Sequence, residues 1–369
     1  MDLLTISWVF SLLFILISLG LYTVITFYFA KKGRKSNKSP HYHLVVTIIV
    51  PAHNEEAVIR KKLQNIIETE YPVEKIDNVI VLDDNSTDET LHEVDLLLRE
   101  TSCPFHIDVI RYRGEPGKAR ALNWILPNVK TDVVLITDAD SIWDKDSITH
   151  LLANFSDPQV GAVTGQELIK KDSTSLSCSA ESGYRDIFHI WRLGETNIDS
   201  VAVFNGPLMA FRRSLVGKLD EKCADDSYVA FEVRKKGFRA VYEPNAIVYE
   251  EASSVKGLIQ QKMRRAKRYV SVLLLNRDLL SKDGWFGKFI YPFMLILHII
   301  LPFMFFYFIF SSLFMVMRYP CLLLASFVLL LPKVRRLSLS FVINQTALAL
   351  CYFLPPISSW EPIRSLRPN

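Results

Sequence analysis

Three long stretches of this chain carry no Asp, Glu, Lys or Arg: residues 4–30, 289–317 and 337–360. A helix over Leu4–Ala30 would be about 40 Å long, which is enough to cross a bilayer with some tilt. The chain starts Met-Asp, and this run is longer than the apolar core of a cleaved signal peptide. We therefore expect residues 1–30 to form an uncleaved membrane anchor, and the apolar runs exclude a water-soluble monomer.

Basic residues follow the first apolar run at once, in the segment Lys31-Lys32-Gly33-Arg34-Lys35. Positive charge near the end of a span favours the cytoplasmic side of the membrane. We therefore expect the N-terminus to lie outside the cell and the chain beyond residue 31 to lie inside. The protein would then sit in the cell membrane with its charged middle part in the cytoplasm.

The second apolar region, residues 289–332, is interrupted only by Arg318 and is too long for a single span. Two helices with a turn near 308–320 are the simplest solution, and the basic run 333–336 then falls inside. Residues 337–354 are a further candidate span. Two or three spans are thus expected within residues 288–356, followed by a tail over 357–369.

Composition excludes several other classes of protein. The net charge is +4, from 43 Lys and Arg against 39 Asp and Glu, and this excess is too small to indicate binding to nucleic acid. The 5 cysteines are scattered and form no CxxC pair, so they predict neither a disulfide framework nor a zinc site. With 14 Gly and 17 Pro, the chain is neither collagen-like nor a disordered low-complexity sequence.

Between the apolar ends lies a charged segment, residues 44–255, that has the pattern of one compact domain. Aliphatic and β-branched runs predict strands, and stretches with apolar residues on one face predict helices between them. The predicted strands are 43–50, 78–82, 107–111 and 133–137, and the predicted helices begin near residues 54, 90 and 117. This alternation predicts an α/β fold whose mostly parallel sheet is covered by helices on both faces.

Acidic pairs follow two of the predicted strands: Asp83-Asp84 after the second, and Asp138-Ala139-Asp140 after the fourth. Ligands of open α/β sheets bind at the carboxyl ends of the strands. Two carboxylates beside an apolar strand are costly unless a cation neutralises them, and a divalent cation shared with a diphosphate would do so. The alternatives are helix capping for Asp138 and Asp140 and an Asx turn at Asp83 and Asp84.

No glycine-rich phosphate loop follows the first predicted strand, because the sequence has neither a GxGxxG motif there nor a Walker sequence. Nucleotide-binding sheets with such a loop cradle the phosphates on the N-terminus of the next helix. We therefore expect side chains and a metal ion to hold any nucleotide bound by this domain.

Several motifs, taken in order, resemble those of family 2 glycosyltransferases. They are Thr47-Ile-Ile-Val-Pro-Ala-His-Asn-Glu-Glu56, Val81-Leu-Asp-Asp-Asn-Ser-Thr-Asp88, Gly117-Lys-Ala-Arg-Ala-Leu-Asn123, Ile136-Thr-Asp-Ala-Asp140, Phe204-Asn-Gly-Pro-Leu-Met-Ala-Phe-Arg-Arg213, Ala224-Asp-Asp-Ser-Tyr228 and Gly237-Phe-Arg-Ala-Val-Tyr-Glu-Pro-Asn-Ala246. The resemblance covers roughly residues 44–270. With its flanking apolar runs, the chain is similar to membrane synthases of the cellulose, hyaluronan and poly-N-acetylglucosamine kind.

The resemblance implies a GT-A fold and an inverting transfer from a nucleotide diphosphate sugar, with a UDP-sugar as the expected donor. The residues that it assigns to the nucleoside are Pro51, Ala52, His53, Glu55, Asp83 and Asp84. The resemblance also implies that Lys118 lies near the diphosphate and that Asp138 and Asp140 bind an Mg²⁺ or Mn²⁺ ion.

The same resemblance makes Asp226 the candidate general base, with Asp225 replacing the glutamate of the family's Glu-Asp pair. The chemistry needs such a group, because an acceptor hydroxyl must lose its proton as it attacks the anomeric carbon. Either residue could be the base, and capping of the following helix is the structural alternative. Asn205 and Gly206 match a further motif on the acceptor and diphosphate side.

A basic amphipathic segment, residues 256–284, follows the central domain and predicts a helix at the membrane surface. Within it, Gln261 and Arg264 match the Gln-x-x-Arg-Trp motif of membrane synthases, which is assigned to the acceptor and the diphosphate. Arg265 replaces the tryptophan, which in the family stacks on the acceptor sugar. This change argues against long processive chains.

Three functions remain open from the sequence. The first is a membrane glycosyltransferase that extends a polysaccharide or adds one sugar to a lipid such as a polyprenyl phosphate. The second is a catalytically silent relative that binds nucleotide sugar as a scaffold, although the intact carboxylates argue against it. The third is a nucleotidyltransferase that makes the sugar donor, although such an enzyme has no need of membrane spans.

Overall fold

The computed structural model describes residues 2–34, 38–39, 42, 44–169, 176–250, 255–281, 284–323 and 331–353. Within these residues an eight-stranded sheet forms the centre of the molecule. Its strands are β1 (Val46–Ala52), β2 (Ile76–Asp84), β3 (Ile107–Tyr112), β4 (Val133–Ile136), β5 (Ile142–Trp143), β6 (Val160–Ile169), β7 (Met209–Arg212) and β8 (Arg239–Glu250). Their order across the sheet is β3-β2-β1-β4-β7-β6-β8-β5.

The first four strands form a parallel half-sheet, in which β1 pairs with β2 and β4, and β2 pairs with β3. Strand β7 runs antiparallel between β4 and β6, and the short β5 runs antiparallel to β8. Strands β6 and β8 are parallel to each other. The prediction of a mostly parallel sheet is confirmed, and β7 adds an antiparallel connection that the sequence pattern did not reveal.

Ten helices surround or flank this sheet in the described residues. They are α1 (Leu3–Lys32), α2 (Ile59–Ile67), α3 (Thr90–Glu100), α4 (Lys118–Ile125), α5 (Ser147–Leu152), α6 (Leu176–Ile198), α7 (Asp225–Lys235), α8 (Val255–Leu275), α9 (Phe286–Arg318) and α10 (Pro332–Phe353). The start predicted near residue 54 is wrong, because α2 begins at Ile59. Asn54 has a φ of +54°, a left-handed conformation that cannot continue a helix.

Apolar side chains cover both faces of the sheet, as the alternation of strands and helices predicted. Ile48 and Val50 enter one buried layer, which also contains Leu63 of α2. Ile49 enters the opposite layer, together with Leu122 of α4. Because side chains alternate across a strand, a continuous apolar run such as β1 can serve both layers.

Two helices, α1 and α9, are long and apolar enough to cross a membrane. They run antiparallel, since the guanidinium of Arg318 contacts the carboxylate of Asp2 and the indole of Trp8 donates to Ser312 Oγ at 2.8 Å. Helix α9 ends at Arg318, inside the range where a turn was predicted. The second helix of that predicted pair reaches residues 324–330, and the tail comprises 357–369; both lie outside the described residues.

Helix α6 joins the sheet domain to α1 by a very close crossing. A Cβ at Gly194 would lie 2.2 Å from the main-chain oxygen of Thr26, so only glycine fits there without a shift of one helix. Close by, the indole of Trp191 donates to Thr23 Oγ1 at 3.1 Å. Small residues at helix crossings let backbones approach in this way. The first apolar helix is therefore packed directly on the domain.

Candidate functional site

A cavity of about 690 Å³ opens at the carboxyl ends of β1 and β4 and continues between the sheet and the apolar helices. Most of the residues that the sequence singled out line it: Pro51, His53, Glu55, Lys118, Asp138, Asp140, Asn205, Gly206, Asp225, Asp226, Gln261, Arg264 and Arg265. Three others, Ala52, Asp83 and Asp84, are described and buried but do not line it. The fold thus brings the residues of six separate motifs to one place.

The turn after β4 carries Asp138 and Asp140, both half-buried. Oδ1 of Asp138 accepts a hydrogen bond from the ammonium of Lys118 at 2.8 Å. Its Oδ2 lies beside Gly206, where a Cβ would be 3.7 Å away, and the same Cβ would be 3.4 Å from Oδ2 of Asp226. Gly206 therefore separates the predicted metal carboxylate from the predicted base without filling the space between them.

The donor set of this turn fits a divalent cation that is shared with a diphosphate. In the part of the chain that the structure describes, no cluster of three or more His, Cys, Asp or Glu side chains is arranged to hold a metal ion alone. Asp138 and Asp140 supply hard oxygen ligands from two residues. Mg²⁺ and similar ions are commonly held by one or two carboxylates together with substrate phosphates. Two protein carboxylates at an open cavity match that arrangement.

Lys118 begins α4 and is positioned by a buried acid in the neighbouring strand. The amide of Gly117, whose φ of +155° suits glycine, donates to Oδ2 of Asp84 at 2.6 Å. Asp84 has no exposed surface and lies inside β2, which extends two residues beyond its predicted end. The predicted end of this strand at residue 82 is wrong, because Asp83 and Asp84 both pair in register with β3. The alternative of an Asx turn is met only in part, since Oδ1 of Asp83 accepts a hydrogen bond from the amide of Ser86 at 3.3 Å.

Asp225 and Asp226 are the first two residues of α7, and Ala224 is the N-cap. The ammonium of Lys118 lies 3.1 Å from Oδ2 of Asp225, and Arg268 lies 4.0 Å from its Oδ1. Burial alone would raise the pKa of Asp225, but the charges of Lys118 and Arg268 outweigh it and lower that pKa. Asp225 is thus a neutralised, weakly basic carboxylate.

Asp226 is in the opposite electrostatic situation. Burial, followed by the negative charge of Asp225, raises the pKa of Asp226 to about 6. Its Oδ1 accepts a hydrogen bond from the amide of Ser227, which belongs to the same helical turn. A carboxylate with a raised pKa is the better proton acceptor. Of the two candidates, Asp226 is therefore the stronger base.

A second carboxyl pair, which sequence reasoning missed, lies deeper in the cavity. Glu167 lies near the end of β6, and the guanidinium of Arg185 on α6 is 2.8 Å from its Oε1. Glu250 is its neighbour on β8, and burial and then the charge of Glu167 raise the pKa of Glu250. Arg265 lies 3.6 Å from Glu250. Arg265, which replaces the tryptophan of the motif, is therefore paired with the carboxylates of Glu167 and Glu250.

The far end of the cavity lies between the apolar helices. Leu19 of α1, Leu301 of α9 and Phe341 of α10 line it. Polar groups stand among them: Gln345 is 5% exposed, and its Oε1 has no hydrogen-bond partner among the described residues. The cavity therefore joins the charged turn at the sheet to a mixed apolar and polar space beside the predicted membrane helices.

Comparison with known proteins gives consistent results. The family described as "Glycosyltransferase like family 2" matches residues 43–267. Poly-beta-1,6-N-acetyl-D-glucosamine synthase of Staphylococcus aureus (strain COL) is 30% identical over 284 residues, which cover 73% of this chain and 67% of that protein. The probable glycosyltransferase YdaM of Bacillus subtilis is 28% identical over 240 residues, covering 62% of this chain and 57% of that protein.

A solved structure is similar over almost the whole length of the chain. The mannosyltransferase PcManGT from Pyrobaculum calidifontis, in complex with GDP-Man and Mn²⁺, superposes with a TM-score of 0.77 at 25% identity. The match covers 94% of this chain and 98% of that one. It therefore includes the flanking apolar helices as well as the sheet domain.

Proposed function

The chain belongs to the family 2-like glycosyltransferases, and from this premise we propose that it is a membrane-bound inverting enzyme with a nucleotide diphosphate sugar as donor. The acceptor would lie in the cavity between the sheet and the apolar helices. One observation carries this proposal: Lys118, Asp138 and Asp226 face the same continuous space as side chains of α1, α9 and α10. A soluble acceptor would not require that continuity.

The donor occupies the sheet end of the cavity in this proposal. Pro51, His53 and Glu55 border the nucleoside, and the ring nitrogen Nδ1 of His53 lies 2.6 Å from the main-chain oxygen of Asp84. Asp84 and Ala52 act from within the sheet, since both are fully buried. The sequence resemblance favours a UDP-sugar. The mannosyltransferase PcManGT was solved with GDP-Man, so a guanosine donor is the first alternative.

Asp138 and Asp140 would hold an Mg²⁺ or Mn²⁺ ion at the diphosphate. Such an ion stabilises the negative charge that the leaving nucleoside diphosphate gains. Lys118 is close enough to Asp138 to take part in the same task, because its ammonium is within 2.8 Å of that carboxylate. The positive charge of Arg264, which lines the cavity, supports the leaving group from the α8 side.

Asp226 removes the proton from the acceptor hydroxyl as that oxygen attacks the anomeric carbon. The attack comes from the face opposite the diphosphate while the bond from the anomeric carbon to the diphosphate breaks, so the configuration is inverted. Asp225 is held between Lys118 and Arg268, so it is the weaker base of the two. Its role is to keep Lys118 in place and to raise the proton affinity of Asp226 by its own charge.

The acceptor enters from the membrane side. Gln261 and Arg264 of α8 and the paired Arg265 form its border near the reaction centre. The relative from Staphylococcus aureus is named as a polysaccharide synthase, which makes a growing glycan one candidate acceptor. Arg265 in place of tryptophan favours the other candidate, a single sugar transferred to a lipid-linked acceptor.

Donor screening tests the proposal. Purified protein in detergent is given a panel of UDP- and GDP-sugars with Mn²⁺, membrane lipid extract and short glycans, and released nucleoside diphosphate is measured. We expect release with one sugar, and none from an Asp226→Asn variant that still binds the nucleotide. Size-exclusion analysis of radiolabelled product separates polysaccharide from a singly glycosylated lipid. Nucleotide-sugar binding without release under every condition would instead support a silent scaffold.

A further inference from the structure

A fully buried lysine lies behind the turn that carries Asp138 and Asp140. Lys62, on α2, has no exposed surface. Its ammonium donates to the main-chain oxygen of Ser141 at 3.0 Å and approaches the hydroxyl of the same residue at 3.4 Å. It also stands 3.9 Å from the ring centroid of Trp143. An ammonium is costly to bury, so its place against this turn calls for an explanation.

Lys62 is linked to the main chain of the turn that carries the predicted metal carboxylates through a short hydrogen-bond network. The hydroxyl of Ser141 donates to the main-chain oxygen of Asp138 at 2.8 Å. The hydroxyl of Thr137, 3.4 Å from that of Ser141, donates to the main-chain oxygen of Pro207 at 2.8 Å. Ser141 and Thr137 are both fully buried. The network therefore holds the turn after β4 and links it to Pro207, which follows Gly206 in the loop before β7; Gly206 lies beside Asp226.

The charge of Lys62 also acts on this turn. Burial lowers the pKa of Lys62 to about 7, and the carboxylates of Asp138 and Asp140 oppose that shift. Lys62 thus has two effects of opposite sign on a cation bound at the turn. Its hydrogen bonds hold the ligand turn in shape, which strengthens binding, and its charge repels the cation, which weakens binding.

We propose that Lys62 is a positioning residue that holds the Asp138–Asp140 turn in the shape that binds the divalent cation. Its hydrogen bonds, rather than its charge, set the affinity of the site. The role of Lys62 rests on the metal site proposed above. Outer groups that orient metal ligands typically change metal affinity by roughly 10–100-fold when they are removed.

Direct Mn²⁺ binding tests this role without relying on turnover. Free Mn²⁺ is measured by electron paramagnetic resonance for the full-length protein in detergent, with and without nucleoside diphosphate. Lys62→Met keeps the length and apolar body of the side chain but removes its donors. We expect its dissociation constant for Mn²⁺ to rise roughly tenfold or more. Lys61→Met is the matched control, because Lys61 is the adjacent exposed lysine and should bind Mn²⁺ normally.

The Ser141→Ala variant covers the case in which Lys62→Met does not fold. It keeps the buried lysine and removes only the hydroxyl that donates to the main-chain oxygen of Asp138. Affinity for Mn²⁺ should therefore fall, as it should in Lys62→Met. When turnover is measured over a Mn²⁺ titration, the apparent KM for Mn²⁺ should rise in both Lys62→Met and Ser141→Ala. The kcat at saturating Mn²⁺ should stay close to that of the wild type. A purely structural role would lower Tm and leave the Mn²⁺ dissociation constant unchanged.

The outcomes are distinguishable. Unchanged or tighter Mn²⁺ binding by folded Lys62→Met, in a protein whose wild type binds Mn²⁺, would overturn the role of Lys62 alone. A wild type that binds no Mn²⁺, or an Asp140→Asn variant that binds it normally, would overturn the metal site and the role of Lys62 together. Weaker binding by Lys62→Met and Ser141→Ala, with Lys61→Met normal, supports the proposal.

Discussion

The ammonium of Lys118 lies 2.8 Å from Oδ1 of Asp138, at the point where the turn after β4 meets the start of α7. The same ammonium is 3.1 Å from Asp225. One cation is therefore shared by the predicted metal side and the predicted base side of the cavity. Lys118 and Arg268 lower the pKa of Asp225, whereas burial and then the negative charge of Asp225 raise the pKa of the adjacent Asp226. The two neighbouring acids therefore differ in proton affinity.

Metal dependence is the first expectation. Asp140→Asn removes one of two carboxylates from the turn, so transfer at fixed metal should fall by two or more orders of magnitude, roughly 3 kcal/mol of barrier. Asp146→Asn is the matched control, since Asp144-Lys145-Asp146 is another Asp-x-Asp sequence and Asp146 does not line the cavity. Asp146 is the N-cap of α5, a position that asparagine fills equally well. Released nucleoside diphosphate is measured over a Mn²⁺ titration. Full activity in excess chelator would exclude the metal.

The pH dependence follows from the raised pKa of Asp226, about 6. A general base must be deprotonated, so turnover should rise with pH through about 6 and level off above 7. At pH 5 it should be roughly tenfold below the plateau, because only about a tenth of the carboxyl groups are then ionised. Initial rates at saturating donor and metal from pH 5 to 8 measure this. A flat profile across that range would contradict Asp226 as base.

The fold was largely predictable from local patterns. Strands β1 to β4 are rich in aliphatic and β-branched residues, and their alternation with helices predicts a parallel arrangement. The antiparallel β7 was not predictable in the same way, because Met209–Arg212 is short and its partners, β4 and β6, are distant in sequence. The length of β2 was underestimated because Asp83 and Asp84 favour turns locally, whereas pairing with β3 keeps them extended.

The site was predictable where a residue belongs to a motif and not where its role depends on burial. Lys62 looks like a surface residue beside Lys61, yet it follows Ile59 by three positions and precedes Ile66 by four, which puts it on the apolar face of α2. That spacing was the available signal. Glu167 and Glu250 had none, because only the pairing of β6 with β8 brings these two strand ends together.

The crossing of α1 and α6 gives a prediction about stability. Gly194→Ala would bring a methyl group to within 2.2 Å of the main-chain oxygen of Thr26, so the helices must separate. Overpacking of this kind typically costs about 1–3 kcal/mol. Gly20→Ala on α1 is the matched control, because a Cβ there meets nothing within 4 Å. Thermal unfolding in detergent should show a lower Tm for Gly194→Ala only.

The membrane orientation can be tested with native cysteines. Cys321 is exposed just beyond the end of α9, on the side of the N-terminus, whereas Cys103 belongs to the sheet domain. In intact cells, a membrane-impermeant maleimide should label a single-cysteine protein that keeps Cys321. It should miss one that keeps Cys103 until the cells are permeabilised. Labelling of Cys103 from outside would reverse the orientation and remove access to a cytosolic donor.

Substitution of the two acids of α7 separates proton transfer from donor binding. Asp226→Asn keeps the size of the side chain and removes its basic carboxylate. If Asp226 takes the acceptor proton, turnover should fall by roughly 10²–10⁴. Nucleoside diphosphate affinity should stay nearly unchanged, because Asp226 is not one of the carboxylates that Lys118 contacts.

Asp225→Asn should behave differently. It leaves Lys118 with Asp138 as its remaining partner and takes a negative charge away from Asp226, so the pKa of Asp226 should fall. Nucleotide affinity should change along with turnover, and the rise of the pH profile should move to lower pH. Isothermal titration with nucleoside diphosphate and Mn²⁺, combined with initial rates, measures both quantities for both variants. An active Asp226→Asn enzyme beside an inactive Asp225→Asn enzyme would assign the base to Asp225 instead.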